Sequence, residues 1–365
     1  MAHVGVVFGG RSVEHQVSIR SARAVVLGLR EAGHAVTPLG IAEDGCWIDA
    51  EASAAVIEGV AKEIPPLELP IAPTLRHLLA SGIEVAFPIL HGTWGEDGTF
   101  QGLCEMLDLA YVGCGVTASA LAMDKVLAKR QLAAAGVPVV DFEVASRREF
   151  EADPAAFLAR CERFPLPIFV KPSVGGSSVG VQKVSDLGAL EAAVRFALRF
   201  DEVVLVERGI EGRELECAVL GYRTIEASVV GEIVPGNEFY DYADKYLLDN
   251  AGLIAPAELP EGVADRLRET AVEAFSAIGG AGFARVDFLL EGLEGNDEGG
   301  LFVNELNTLP GFTSISMFPL LWKLTGVPLP RLVDRLVRIA LERHQDRRRL
   351  DEGIKDFLAE LARKA

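Results

Sequence analysis

A chain of 365 residues, half of them hydrophobic and 24% charged, is long enough for two or three domains with sizeable buried cores. Its formal net charge of -18 and pI near 4.8 argue against a nucleic-acid or anionic-membrane partner, so an anionic ligand must be met by local cations and backbone N–H groups. No apolar run is long enough to span a membrane, the start MAHVGVVFGGRS lacks a cationic segment and a signal core, and the five scattered cysteines form no CxxC; together these predict reduced thiols and a cytoplasmic protein without membrane insertion.

The first strand runs from His3 to Phe8 and breaks at Gly9-Gly10 into a helical pattern carrying Val17, Ala24, Leu27 and Leu29, with Gly33 as its stop. A strand that breaks into glycines before a helix is how α/β folds set ligands at helix N-termini, although the same turn serves equally as a plain connection. No GxGxxG follows it and no GxxxxGK occurs, which argues against a Rossmann fingerprint and a Walker loop. A second apolar strand, Glu84 to Leu90, delivers His91-Gly92 into TWGEDGTFQG, whose glycines at 92, 95 and 98 leave room for a ligand at the backbone. His91 is either a hydrogen-bonded structural residue or a ligand contact. A helix from Gln101 to Leu107 and a strand in AYVGCG close a first α/β unit near residue 115.

A second unit spans 116–205. Ala118 to Gly136 is helical in pattern, with Lys125 inside it. The strand IFVKP carries Lys171 into Gly175, Gly176, Ser177, Ser178 and Gly180, either a phosphate-cradling loop or a flexible hairpin loop. A third unit spans 206–345. Asp201 to Gly209 reads as a strand and linker, and Glu207 to Ile210 could present backbone groups to an adenine edge. Glu214 opens the next strand and is either a ribose contact or an exposed strand position. Residues 237–249, NEFYDYADKYLLD, have no clean period and read as a lid loop, with Lys245 and Tyr246 its functional members.

In GFARVDFLL, alternation sends Val286, Phe288 and Leu290 toward a core and Arg285 with Asp287 to the opposite face. In LFVNELNTLPGFTS, Glu305 and Asn307 share a face, away from Asn304 and Leu306. If these strands pair, Asp287, Glu305 and Asn307 converge beside a guanidinium as hard oxygen ligands suited to Mg²⁺, or they are ordinary polar residues on a solvent-facing pair. The tail, 346–365, continues a charged helix from Leu329, in which Arg343 to Arg349 reads as a solvated face.

GGRSVEHQVS, HGTWGEDGTFQG, MDK at Met123 to Lys125, VKPSVGGSSVG, FYDYADKY, ARVDF and NELNTLPGFTSIS stand in this order, and with them the chain resembles the D-alanine:D-alanine ligases of the ATP-grasp superfamily from Val4 to about residue 340. The resemblance implies a three-domain α/β (α+β) ATP-grasp fold, a parallel α/β domain followed by two domains that clamp ATP between their sheets. It implies that ATP drives the joining of two D-alanines, with two Mg²⁺ ions (Mn²⁺ a possible substitute), for peptidoglycan synthesis. A homodimer through the first domain is also implied.

Matched residue by residue, Lys125 and Lys171 resemble lysines that hold ATP phosphates, and the loop with Ser177 and Ser178 the flap over them. Glu207, Arg208 and Ile210 match the adenine hinge, with Arg208 where a lysine is common, and Glu214 matches the ribose contact. Lys245 matches a lid lysine on the terminal phosphate. Asp287, Glu305 and Asn307 match the metal ligands. Glu14 resembles the residue that binds the first D-alanine's ammonium, joined by hydrogen bonds to Ser177 and Tyr246, with His91 near that substrate's carboxylate. Ser316 matches the anchor of the second D-alanine's carboxylate, beside Met317, and Arg285 with the Gly311 N–H would stabilise the oxyanion. Relatives that take D-lactate or D-serine second differ in the lid, where Tyr246 favours an amide product.

Overall fold

The computed structural model describes residues 1–61, 82–234, 252–292 and 300–364, and among them three sheets carry the fold. The first is parallel, in the order β2-β1-β3-β4, from His3–Gly9 (β1), Ala35–Ile41 (β2), Val85–Ile89 (β3) and Ala110–Tyr111 (β4). Val4, Val6, Val7 and Phe8 are all fully buried, as a parallel strand covered on both faces requires. Beyond β1 the helix His15–Glu31 ends where predicted: Gly33 takes φ +86, its N–H reaching the Arg30 carbonyl and that of His34 the Leu29 carbonyl. Leu27, expected among its apolar positions, is exposed.

The second sheet is antiparallel, β5-β8-β6-β7, from Phe142–Ser146 (β5), Ile168–Pro172 (β6), Gln182–Val184 (β7) and Val203–Arg208 (β8). The third, also antiparallel, runs β11-β10-β9-β12-β13, from Gly212–Gly221 (β9), Ile225–Val234 (β10), Gly252–Ile254 (β11), Gly282–Glu291 (β12) and Gly300–Asn307 (β13). In β12 the predicted alternation holds, with Val286, Phe288 and Leu290 packed in a core that includes Leu267, Ala271 and Phe275 of the helix Val263–Ala277. Mixed parallel and antiparallel sheets with covering helices give the expected α/β architecture.

Two local expectations need correction. The helical pattern 118–136 is two helices, Val116–Met123 and Lys125–Ala134, because Asp124 between them is extended (φ -91, ψ 105) and its carboxylate accepts from the Val126 and Leu127 N–H groups. The Lys125 N–H then bonds the Ser173 carbonyl, so Lys125 opens a helix against the second sheet instead of lying mid-helix. Apolar spacing runs straight through such a break.

The last helix, Leu329–Lys364, packs Leu332, Val333, Leu336, Val337 and Ala340 into the core shared with β1 and the first helix. Gly28 allows this approach, since a Cβ there would lie 3.1 Å from Leu329 and 3.4 Å from Val333. The run 343–349 is not simply solvated. Arg343 donates to the carbonyls of Gly113 and Tyr111 and lies 4.3 Å from the Tyr111 ring centroid, while Arg347 pairs with Glu105. Among the described residues no helix is long and apolar enough to cross a membrane.

Candidate functional site

A cavity of about 670 Å³ opens where segments remote in sequence meet. Its wall takes Glu14 and Arg20 from the first helix region, His91 and Glu96 from the loop after β3, Met123 and Lys125 from the helix break, and Gly175, Gly176 and Ser177 from the glycine loop. The third sheet and the loop after it add Glu216, Arg285, Glu305, Asn307, Gly311, Ser316 and Met317.

The strand pair expected from alternation forms this floor. In the β12–β13 register Asp287 stands opposite Glu305 and Arg285 opposite Asn307, and β9 places Glu216 opposite Asp287 on the other side. Three carboxylates therefore lie in a row across three strands. A bulge shifts the register so that Val303 pairs Phe288, which leaves Asn304 out of the ladder. Arg285 grips Asp287 with Nε and Nη2, both at 2.6 Å, and its Nε lies 3.1 Å from Glu216. Burial opposes its charge, but Asp287 and Glu216 outweigh burial and hold it protonated.

Asp287, Glu305 and Asn307 offer hard oxygens at one end of this row. Among the described residues no group of three or more His, Cys, Asp or Glu could hold a metal ion alone. Two carboxylates and an amide instead fit a hard divalent cation that completes its shell with water and phosphate oxygens.

On the opposite wall, glycines bring the backbone close to Glu14. A Cβ on Gly92, which takes φ +77, would lie 3.0 Å from Glu14 Oε2, and one on Gly176 would lie 3.4 Å from the same oxygen. The loop after β3 and the glycine loop thus meet at the one carboxylate of Glu14, with Ser177, next after Gly176, in the left-handed region at φ 50. His91 is 5% exposed; its Nδ1 donates to the Leu309 carbonyl (2.8 Å), so Nε2 accepts from Ser21 Oγ (3.1 Å). Burial lowers its pKa further than the Glu14 charge and the Leu309 carbonyl raise it, so the ring is neutral at pH 7. Ser21 Oγ also accepts the Phe312 N–H, and Ser316 Oγ accepts the Thr313 N–H (2.9 Å), which fixes the loop that carries Gly311.

Toward the second sheet, Lys125 Nζ donates to the Gly175 carbonyl (2.5 Å). Lys171 and Glu207, on adjacent strands β6 and β8, form an ion pair, and Lys129 Nζ stands 2.9 Å from the other Glu207 oxygen. Burial would raise the Glu207 pKa; Lys129 and Lys171 outweigh it and bring the carboxyl to about 2. A carboxylate whose folded pKa lies below its ordinary 4.5 adds stability above that pH and loses it as the pH falls through about 2. The destabilisation caused by Glu207→Gln, measured by denaturant unfolding, is therefore expected to be larger at pH 6 than near pH 2 by roughly 3 kcal/mol. An unchanged penalty across that window would rule out an ionised Glu207.

Arg208 reaches across to the third sheet, bidentate to Glu291 at 2.8 and 2.9 Å and 5.1 Å from the Phe302 ring centroid. Ile210 follows on the segment that leads into the third sheet and Glu214 lies on β9 itself, both half-buried. Lys171, Ser178, Glu207, Arg208, Ile210, Glu214 and Asp287 do not line the large cavity, and Lys245 and Tyr246 lie outside the described residues.

Sequence reasoning passed over four residues. Glu96 accepts the Gly92 N–H (3.0 Å) and the Leu309 N–H (3.2 Å), tying the loop after β3 to the loop after β13; burial, then the Glu14 charge, hold its pKa well above the carboxylate range. Ser21, Glu216 and Lys129 are buried polar groups whose partners lie far along the chain. The GED of the His91 loop and the second lysine one turn after Lys125 were the available signals.

With this geometry in hand, comparison with known proteins is direct. Residues 3–114 match the family model described as D-ala D-ala ligase N-terminus, and 131–338 the one described as D-ala D-ala ligase C-terminus. A D-alanine-D-alanine ligase of Solibacter usitatus is 44% identical over 94% of this chain and 97% of its own, and that of Acetivibrio thermocellus 41% identical over 93% and 96%. Among solved structures, the D-alanine-D-alanine ligase of Coxiella burnetii superposes with TM-score 0.81 at 33% identity, covering 98% of this chain and 99% of that one. The VanG D-Ala:D-Ser ligase of Enterococcus faecalis gives 0.78 at 32% identity, covering 93% and 99%.

Proposed function

The chain belongs to the D-alanine-D-alanine ligase family and has its ATP-grasp fold, and on that premise we propose how its own residues carry out the reaction. The enzyme joins two D-alanines at the expense of ATP, with a divalent metal, to supply a peptidoglycan precursor. The observation that carries the residue-level reading is the β12–β13 register, which sets Asp287 against Glu305 and Arg285 against Asn307, with Arg285, Glu305 and Asn307 lining a cavity that also holds Glu14 and Ser316.

A carboxylate resists attack by an amine because its carbonyl is electron-rich and oxide is a poor leaving group. In the first step a carboxylate oxygen of D-alanine attacks the γ-phosphorus of ATP, the bond to ADP breaks, and an acyl phosphate forms. Lys125, Lys171 and the lid residue Lys245 bear on the phosphates, with Ser177 and Ser178 over them. Asp287, Glu305 and Asn307 would hold two Mg²⁺, with Mn²⁺ as a substitute, and these ions supply charge neutralisation on the phosphoryl oxygens. The hinge Glu207 to Ile210, with Arg208 tied to Glu291, meets the adenine, and Glu214 the ribose.

Glu14 receives the ammonium of the first D-alanine, linked to Ser177 and Tyr246, with His91 on the carboxylate side. Since His91 is neutral, it acts there by hydrogen bonding and not by charge. Ser316 and Met317 hold the second D-alanine. Its neutral amine attacks the acyl carbon, the tetrahedral oxyanion is met by Arg285 and the Gly311 N–H, and phosphate departs as the amine proton is lost. An acyl phosphate hydrolyses in water, so the lid at 237–249 closes first.

The domain reading remains 1–115, 116–205 and 206–345 with a 346–365 tail, in a cytoplasmic homodimer joined through the first unit. The likeness to a D-Ala:D-Ser ligase keeps D-serine as a second acceptor to test. Phosphate release with D-alanine alone, and with D-alanine plus D-serine or D-lactate, read with product masses, decides between them. D-alanyl-D-alanine in step with phosphate is expected; phosphate release only with another acceptor would overturn the substrate.

A further inference from the structure

Lys129 stands on the helix Lys125–Ala134, four residues after Lys125 and so on the same face. Its side chain is 2% exposed and that of Glu207 3%, whereas Lys171, at the mouth of the glycine loop, is 14% exposed. One buried carboxylate thus faces two ammonium groups. The contact from Lys129 is an ion pair at 2.9 Å, and the Phe142 ring lies 5.9 Å from Nζ.

The surplus cation has a consequence for nucleotide binding, on the reading that Lys171 holds ATP phosphates. For Lys171 to turn to a phosphate it must loosen its hold on Glu207. A carboxylate this deeply buried cannot be left unpaired without a large penalty. Lys129 is walled in and cannot leave, so it is the cation that remains. We propose that Lys129 is a positioning residue for ATP: it is the permanent counter-charge of Glu207, and thereby releases Lys171 to the nucleotide.

Without Lys129, Glu207 has only Lys171 and detains it. Titration calorimetry with ATP and Mg²⁺ in the absence of D-alanine is the test, on full-length variants that keep a cooperative thermal transition. Lys129→Met is expected to weaken ATP binding by about tenfold or more, while kcat at saturating ATP stays within about threefold. Lys129→Arg, which keeps the charge, is expected to bind ATP within about threefold of the parent. In a Glu207→Gln background, removing Lys129 is expected to change ATP affinity by less than about twofold, since no carboxylate is left to detain Lys171. That double variant exchanges a buried ion pair for neutral groups and keeps the test usable if Lys129→Met alone fails to fold.

Unchanged affinity in Lys129→Met, or an equal further loss in the Glu207→Gln background, overturns the inference. Lys171→Met measured in parallel separates the two levels. If it weakens ATP binding while Lys129→Met does not, the positioning role alone falls; if it has no effect, the phosphate-binding reading of Lys171 falls, and the inference with it.

Discussion

Replacing Arg285 by methionine is expected to lower kcat by about a hundredfold to a thousandfold, the loss typical of a missing donor to a developing oxyanion. Its neighbours hold the side chain in one orientation: Nε and Nη2 each donate to one oxygen of the Asp287 carboxylate, and Glu216 flanks Nε. Those contacts also predict a stability cost. Methionine leaves two acidic groups without their cation; breaking a fully buried pair of this kind costs about 3–5 kcal/mol, an upper bound for these half-buried side chains. The kinetic effect is therefore read per folded molecule, with unfolding followed in parallel. Arg285→Lys restores the charge but not the two-pronged contact, so partial recovery of stability with little recovery of kcat is expected. A rise in KM for D-alanine at unchanged kcat would instead make Arg285 a ground-state contact.

Glu305→Gln should be the most damaging of the conservative changes, lowering kcat by about a thousandfold and raising the Mg²⁺ needed for half-maximal rate by about tenfold. Glutamine keeps the volume and one oxygen while removing the charge. Glu305 is a cleaner probe than Asp287, because Asp287 also holds Arg285 and its loss would disturb two functions together. Chelation of the divalent metal should stop the parent enzyme completely. A variant with unchanged Mg²⁺ dependence would remove Glu305 from the metal set, and a variant with weakened Mg²⁺ dependence but normal kcat would confine it to affinity.

The C-terminal helix is tied into the body over its first half by Val333, Val337 and Arg343, and from Arg347 onward the described residues are exposed. Sequence patterning had marked the helix but not where its packing stops, since charged residues with long apolar stems sit on both buried and solvated stretches.

By itself the sequence determined what repeats over short distances. Period-two alternation fixed which residues of β12 face the core and put Arg285 with Asp287 on one face and Glu305 with Asn307 on another; that these two faces coincide follows from the β12–β13 pairing, which alternation left conditional. The glycine at the end of the first helix set its stop, and the ordered motifs identified the family. Tertiary structure decided everything that depends on partners hundreds of positions apart. His91 meets Leu309 across 218 residues, and Arg343 meets Gly113 across 230. The break at Asp124 was settled by a carbonyl on Ser173, and the charge balance of Glu207 by a lysine on a helix that periodicity reads as plain amphipathic surface. A local pattern records which face of an element is buried; it carries no record of what that face is buried against, and the chemistry of a buried polar group is set by that neighbour.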